Sequence, residues 1–226
     1  FDAVFTLNPP ASITNNEPDD LVVEACDFTD QTAVDATFNQ WLIDVETQAG
    51  VQGGCAASIS NDWDGSIPQL CTGGSITITW TVIDLCGSFT FDAIFTLNPP
   101  TPISVSDPVD LTVEACDFAD QTAVDAEFNQ WLTDVLSQAN VTGGCNPVIT
   151  NDFDGNIPQL CTGGTVIINY TVTDLCETTT FDAVFTLNPP TPIDVTDPTD
   201  LTVEACNFAD QTAVDNEFNQ WLTDVL

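Results

Sequence analysis

Apolar and polar residues alternate along Ser75–Ile83, with Ile76, Ile78, Trp80 and Val82 on one side and Ser or Thr on the other. Thr165–Thr173 repeats the pattern with Val166, Ile168, Tyr170 and Val172. A period of two predicts a strand with one buried and one wet face. Phe91–Leu97 alternates in the same way, and so do Phe1–Leu7 and Phe181–Leu187. Each of these three runs ends in Asn-Pro-Pro, which stops the ladder because proline cannot donate to it. Leu21–Cys26, Leu111–Cys116 and Leu201–Cys206 read as further strands. Weaker signals mark short strands near Ile13, at Ile103 and Val105, and over Asn146–Thr150.

The period then changes. Val124, Phe128, Trp131, Leu132, Val135 and Leu136 recur at steps of three and four, which predicts an amphipathic helix from Thr122 to about Ala139. Asp120 and Thr122 are its candidate caps, and Asp125 and Glu127 suit the positive end of its dipole. In the first copy Val34, Phe38, Trp41, Leu42 and Val45 face inward and Gly50 is the stop. Trp41 and Trp131 read as core anchors.

All these signals return every 90 residues. Residues 91–136 and 181–226 differ only at 94, 104, 106, 109, 117 and 126 and their counterparts. The chain is therefore a tandem repeat. Residues 1–10 are the last strand and joint of a preceding module, 11–100 and 101–190 are complete modules, and 191–226 open a third. The chain starts without Met, and Leu226 falls inside the expected third helix, so the sequence reads as a window on a longer secreted protein.

Charge narrows the function. There are 35 acidic residues and no Lys, Arg or His, for a net charge of -35. Nothing in the chain can neutralise phosphate, which argues against nucleic acid and against docking on an anionic membrane. No apolar run is long enough to be a transmembrane helix. Without His or Lys, the common nucleophilic triads and Schiff-base chemistry are unavailable, and the chain reads as non-enzymatic.

Four cysteines fall in each complete repeat: Cys26, Cys55, Cys71 and Cys86, then Cys116, Cys145, Cys161 and Cys176. Cys206 begins a third set. Fixed spacing in small modules predicts two disulfides per module in an oxidising compartment. Four cysteines allow three pairings. Position at strand ends favours Cys26–Cys86 with Cys55–Cys71, and likewise Cys116–Cys176 with Cys145–Cys161. The short spacing of a zinc or iron-sulfur knuckle is absent.

The loops Asn61-Asp-Trp-Asp-Gly-Ser66 and Asn151-Asp-Phe-Asp-Gly-Asn156 resemble the start of a calcium loop. Asp62, Asp64 and Asp84, and their counterparts Asp152, Asp154 and Asp174, are the candidate ligands, with calcium as the candidate cofactor. The competing reading is a polar turn capping its own backbone. Asp107 and Asp110, or Asp197 and Asp200, near the proline joints, are a second candidate cation site. Trp63 and Phe153, between the loop aspartates, are the aromatics expected to be exposed.

The strand Thr165–Cys176 and its copy Ile76–Cys86, preceded by Asn151-Asp-Phe-Asp-Gly and Cys161-Thr-Gly-Gly, resemble the closing segment of HYR-like, immunoglobulin-type modules. Pro-x-Asp-Leu-Thr-Val-Glu-Ala-Cys resembles their opening. Such repeats build giant cell-surface adhesins of gliding Bacteroidota, exported by the type IX secretion system. The resemblance implies mostly β, tandem immunoglobulin-like β-sandwich modules of about 90 residues, with the helix as an insertion. It also implies an extracellular filament serving attachment or gliding motility. The partners expected are neighbouring modules of the same chain, a homo-oligomer, or a surface-anchoring protein. The alternatives are a calcium-dependent glycan- or protein-binding module and a sheath or surface-layer subunit.

Overall fold

The computed structural model describes residues 1–225. By its contacts the chain divides into one unit from Phe1 to Pro189 and a second from Pro190 onward.

The first unit holds the same set of elements twice. In the first set, β1 (Leu21–Glu24) leads through a single 3-10 turn into α1 (Gln31–Ala49), followed by β2 (Ser58–Asn61), β3 (Gly74–Ile83) and β4 (Ser88–Asn98). The second set is β5 (Leu111–Glu114), α2 (Gln121–Ala139), β6 (Val148–Asn151), β7 (Gly164–Thr173) and β8 (Thr178–Asn188). The sheets run in the order β1-β4-β3-β2 and β5-β8-β7-β6. The long hairpin β3–β4 is antiparallel, and β1 lies parallel to β4 with Leu21 opposite Phe95.

Register explains what each face does. Ile78 sits opposite Ala93, and Ile76 opposite Phe95, so their side chains share a face with Trp80, Val82 and Leu97. That face is buried under α1, whose Val34, Phe38, Trp41, Val45 and Ala49 are also buried. The opposite face carries Ser75, Thr77, Thr79, Thr81 and Thr96. Ser75 and Thr96 join their hydroxyls across it at 2.9 Å.

Each complete module thus has one four-stranded sheet covered by one helix. The expected two-sheet sandwich is corrected: period-two strands need one apolar cover, and here the helix supplies it instead of a second sheet. The regions around Ile13 and Ile103–Val105 form single bridges, Thr14 to Gln52 and Ser104 to Thr142, rather than strands.

The helix termini follow the sequence closely. Asp30 and Asp120 accept from the N–H of Ala33 and Ala123, and Gly50 and Asn140 end the helices in the left-handed region. Thr122 lies inside the first turn rather than at the cap. Leu136, expected inside, is exposed, and Ala139 is buried in its place.

Aromatic rings fill the space between helix and sheet. Phe38 meets Phe95 edge-on at 5.1 Å, and Trp41 meets Trp80 edge-on at 5.9 Å. In the second module Phe128 meets Phe185 at 5.0 Å, and Tyr170 stacks on Phe181 at 4.8 Å. The Trp80 indole donates to Glu46 at 3.3 Å. The corresponding pair in the second module is Tyr170 and Leu136.

Phe1–Leu7 is exposed and has no strand partner among the described residues. Its copies β4 and β8 each lie between two strands, and a strand without ladder partners is not stable in water. In the second unit, Leu201–Cys206 is likewise no strand, although helix α3 (Gln211–Asp224) forms with its Asp210 cap. The Trp221 indole donates to the Thr199 carbonyl at 3.2 Å, while Leu201, Val203 and Phe218 stay exposed. Leu226, expected within this helix, lies outside the described residues.

Candidate functional site at the joint between modules

The chemistry of this chain concentrates where one module meets the next. Two disulfides cross that joint: Cys26–Cys145 and Cys71–Cys176. The Cα atoms lie 5.0 and 5.3 Å apart. The pairings expected within modules, Cys26–Cys86 with Cys55–Cys71 and Cys116–Cys176 with Cys145–Cys161, are therefore corrected. Topology gives the reason. Cys26 follows β1, whose Glu24 pairs with Asn98 at the far end of β4. Cys71 precedes β3, whose Gly74 pairs with Leu97 at that same end. Cys55 precedes β2, and Cys86 lies in the β3–β4 hairpin, at the opposite end where Ile83 meets both Ser58 and Ser88. A strand of this length spans about 3.4 Å per residue, so the two pairs of cysteines are a whole sheet apart.

Each module therefore has a leading face with two cysteines and a trailing face with two. Cys26 and Cys71 of the first module's leading face bond Cys145 and Cys176 on the second module's trailing face. Cys55 and Cys86 on the other trailing face, and Cys116 and Cys161 on the other leading face, are thiols, as is Cys206.

One aspartate arranges each trailing face. Asp174 accepts from the N–H of Cys145 at 2.7 Å through one carboxylate oxygen. Its other oxygen accepts from Cys176 at 2.8 Å and Glu177 at 2.7 Å. Asp84 does the same for Cys55 at 3.1 Å, and for Cys86 and Gly87 at 2.8 Å each. Burial pushes the Asp174 carboxyl up, but the amides of Cys145, Glu177 and Cys176 outweigh it and hold the group below the usual carboxylate range. The amides of Cys86, Cys55 and Gly87 likewise lower Asp84. Asp84 and Asp174, the candidate ligands at the strand ends, each fix the backbone of the trailing face of their own module.

Two glycines permit the close approach. A Cβ on Gly143, at φ +78°, would lie 2.1 Å from the Pro102 carbonyl oxygen. A Cβ on Gly73, at φ +61°, would lie 2.5 Å from the Leu97 carbonyl oxygen and 2.6 Å from the Pro99 ring. The loops carrying Cys145 and Cys71 are thereby pressed onto Asn98–Pro102, the polypeptide that crosses the joint. Gly144 donates to the Thr101 carbonyl at 2.8 Å, and the Ile103 N–H donates to Glu177.

The acidic loops close on themselves. Asp64 accepts from the Ser66 hydroxyl at 2.6 Å and N–H at 2.9 Å, which lowers its carboxyl. Asp62 accepts from the Thr79 N–H at 2.9 Å. Asp152 is lowered by the Asn169 side chain and N–H, and Asp154 by the N–H and side chain of Asn156. The charge of Asp152 acts in the opposite direction on Asp154. Asp174 follows the last residue of β7 and accepts from Cys145, Cys176 and Glu177, whereas Asp152 accepts from Asn169 in the middle of that strand. Among the described residues no three His, Cys, Asp or Glu side chains gather into a metal-holding group. Trp63 and Phe153, expected to be exposed, pack on the helix instead: Trp63 lies 5.3 Å from Phe38, and Phe153 lies 5.1 Å from Phe128. The Trp63 indole donates to the Ser66 carbonyl at 2.7 Å, so the ring staples the loop to the core.

No signal in the sequence separates a cysteine bonded within its module from one bonded to the next. No helix among the described residues is long and apolar enough to cross a membrane.

No protein-family model matches the chain, and no curated protein does. Among solved structures, an I-band fragment of titin aligns with 61% of the chain at 8% identity and a TM-score of 0.27. The chain spans 57% of that fragment. A chimeric titin Z1Z2 carrying a peptide from decorin aligns with 79% of this chain and 97% of its own at 12% identity and a TM-score of 0.25. An endo-fucoidan hydrolase of glycoside hydrolase family 107 aligns with 61% of this chain and 24% of its own, at 10% identity and a TM-score of 0.22. Scores at this level carry no argument about this chain.

Proposed function

We propose that this chain is a load-bearing segment of an extracellular stalk, built from non-enzymatic modules joined in series. The observation that carries this reading is the joint: the polypeptide and two disulfides cross between modules at opposite ends of their sheets. Disulfides persist in oxidising compartments, which supports export to the cell surface. Repeats that present nearly the same residues again and again suit a spacer better than a recognition site. The repeat motifs resembling those of gliding Bacteroidota adhesins support a filament that carries adhesion away from the cell.

Single-molecule stretching from both ends tests the load path. While the Cys26–Cys145 bond stands, the 119 residues it spans cannot extend. Reduction should add on the order of 400 Å of contour length at 3.3–3.6 Å per residue. Equal extension before and after reduction would remove the stalk reading. Electron micrographs of the native assembly should show beaded filaments, whereas flat arrays would assign the chain to a sheath or surface layer.

A calcium-bound form of the same stalk is the second reading, motivated by the alternating aspartates Asp152 and Asp154 and their copies Asp62 and Asp64 in the acidic loops. Melting with calcium, set against sodium chloride at matched ionic strength, decides it. A shift confined to general screening removes the specific site.

A further inference from the structure

We propose that the trailing face of the first module, at Cys55 and Cys86, is a covalent docking site for another module of this same repeat placed ahead of Phe1. This rests on the serial-stalk reading and specifies its partner. The joint already present shows what such a face does when occupied, because Cys55 and Cys86 stand where Cys145 and Cys176 stand in the second module.

The two faces share their construction. Asp84 holds the N–H groups of Cys55 and Cys86, as Asp174 holds those of Cys145 and Cys176. Gly53 approaches the Ser12 carbonyl so closely that a Cβ would sit 2.3 Å away, matching Gly143 against Pro102. Gly54 donates to Ala11 at 2.9 Å, matching Gly144 and Thr101.

The faces differ in what fills the groove between them and the joint. At the closed joint, Cys71 enters a groove formed by Pro100, Thr101, Pro102 and Cys176, leaving a cavity of about 130 Å³. The equivalent groove, with Pro10, Ala11, Ser12 and Cys86, is open at about 410 Å³. Cys86 lies exposed at its edge. The open groove carries the counterparts of the residues that Cys71 meets at the closed joint, and Phe1–Pro10 is a copy of the segment that hands one module to the next. An incoming module would therefore place its own equivalents of Cys26 and Cys71 against Cys55 and Cys86.

Each bond forms by thiol–disulfide exchange. A low-molecular-weight disulfide such as oxidised glutathione accepts the two electrons and two protons of a thiol pair, becoming two thiols as one protein disulfide forms.

The test lengthens the full chain by one more copy of residues 1–90 ahead of Phe1, keeping the period. Both this chain and the original are folded in a glutathione redox buffer, labelled natively with a thiol alkylator and mapped by mass spectrometry. In the original chain Cys55 and Cys86 should be labelled. In the lengthened chain, with Ser at positions 55 and 86 of the added copy so that only the original pair is read, both should lose labelling. Replacing the two donor cysteines of the added copy, at its positions 26 and 71, with Ser should restore it. Labelling in every form, or protection that survives the Ser replacements, overturns the proposal. Disulfide-linked oligomers of the original chain that Cys55→Ser with Cys86→Ser abolishes would overturn it in favour of a second copy. Cys26–Cys145 and Cys71–Cys176 serve as the internal folding control. If they form while Cys55 and Cys86 stay reactive, only the docking proposal fails. If they too are missing, the stalk reading fails with it.

Discussion

Removing one staple tests the central physical claim, that the joint stabilises both modules at once. The perturbation is Cys26→Ser with Cys145→Ser, which leaves no new thiol. The bond spans 119 residues, and alone it would restrict the unfolded chain by about 4.9 kcal/mol in the chain-entropy estimate. The Cys71–Cys176 bond already shortens that loop. With it in place, the path from Cys26 to Cys145 runs 45 residues to Cys71 and 31 back from Cys176. A loop of that size corresponds to about 4.5 kcal/mol. Unfolding about 180 residues loses roughly 2–4 °C of Tm per kcal/mol, so Tm should fall by about 9–18 °C. Circular dichroism melting measures it, and calorimetry adds whether the two modules still melt as one transition. Cys116→Ser with Cys161→Ser is the control, because those thiols bond nothing in this chain. A staple variant that melts within about 2 °C of the parent would refute the reasoning, since entropy on this scale cannot vanish unnoticed.

Three further outcomes follow from single sites. Phe95→Ala empties the ring that meets both Phe38 and Trp41 and should cost about 3–5 kcal/mol in urea unfolding; a cost under about 1 kcal/mol would mean the helix does not pack as described. Gly143→Ala drives a Cβ to 2.1 Å from the Pro102 oxygen and should destabilise more than Gly155→Ala, where the space is open and only the left-handed backbone costs about 1–2 kcal/mol; equal losses would mean the loop is not pressed onto the joint. Asp174 has a depressed folded pKa, so its contribution is present above the unfolded value near 3.9 and is lost as pH falls through the folded one. Asp174→Asn should therefore lower Tm at pH 6 and flatten its decline below pH 4, and parallel melting profiles would contradict the role given to this carboxylate.

Much of the module was legible before any coordinates. The steps of three and four that end at Gly50 and Asn140 named the helices, and Asp120 proved to be the cap. The alternation over Ser75–Ile83 and Thr165–Thr173 named the central strands. What covers those strands was not legible, because alternation states that one face is dry and is silent on whether a sheet or a helix dries it. The pairing was hidden for a different reason. In a tandem repeat, a cysteine of one module and its copy in the next occupy equivalent positions, both after a Gly-Gly pair here, so sequence does not choose between Cys55 and Cys145 as partners for Cys26. What decides is that Cys26 lies at the opposite end of the sheet from Cys55 of its own module. The work of Asp84 and Asp174 on backbone amides was not legible either, because a carboxylate next to a turn has the same sequence signature whether it binds amides or a cation.

The choice of cysteine for the joint follows from the charge. With 35 acidic residues and no Lys, Arg or His, no side-chain ion pair can hold one module against the next. Every module repels its neighbour, more strongly as ionic strength falls. An apolar interface could offset that repulsion, but the core residues are already committed to the two separate helix–sheet packings. The attractive contacts left to this chain at the joint are hydrogen bonds and covalent bonds. The hydrogen bonds from Gly144 and Ile103 go to groups of their own module, Thr101 and Glu177, so they shape the trailing face without gripping its neighbour. The polypeptide and the two disulfides connect the modules in a way that salt does not weaken. Modules joined this way can keep a surface of one sign without losing the continuity of the chain. It follows that reductant, rather than salt or chelator, is the agent that should loosen the joint.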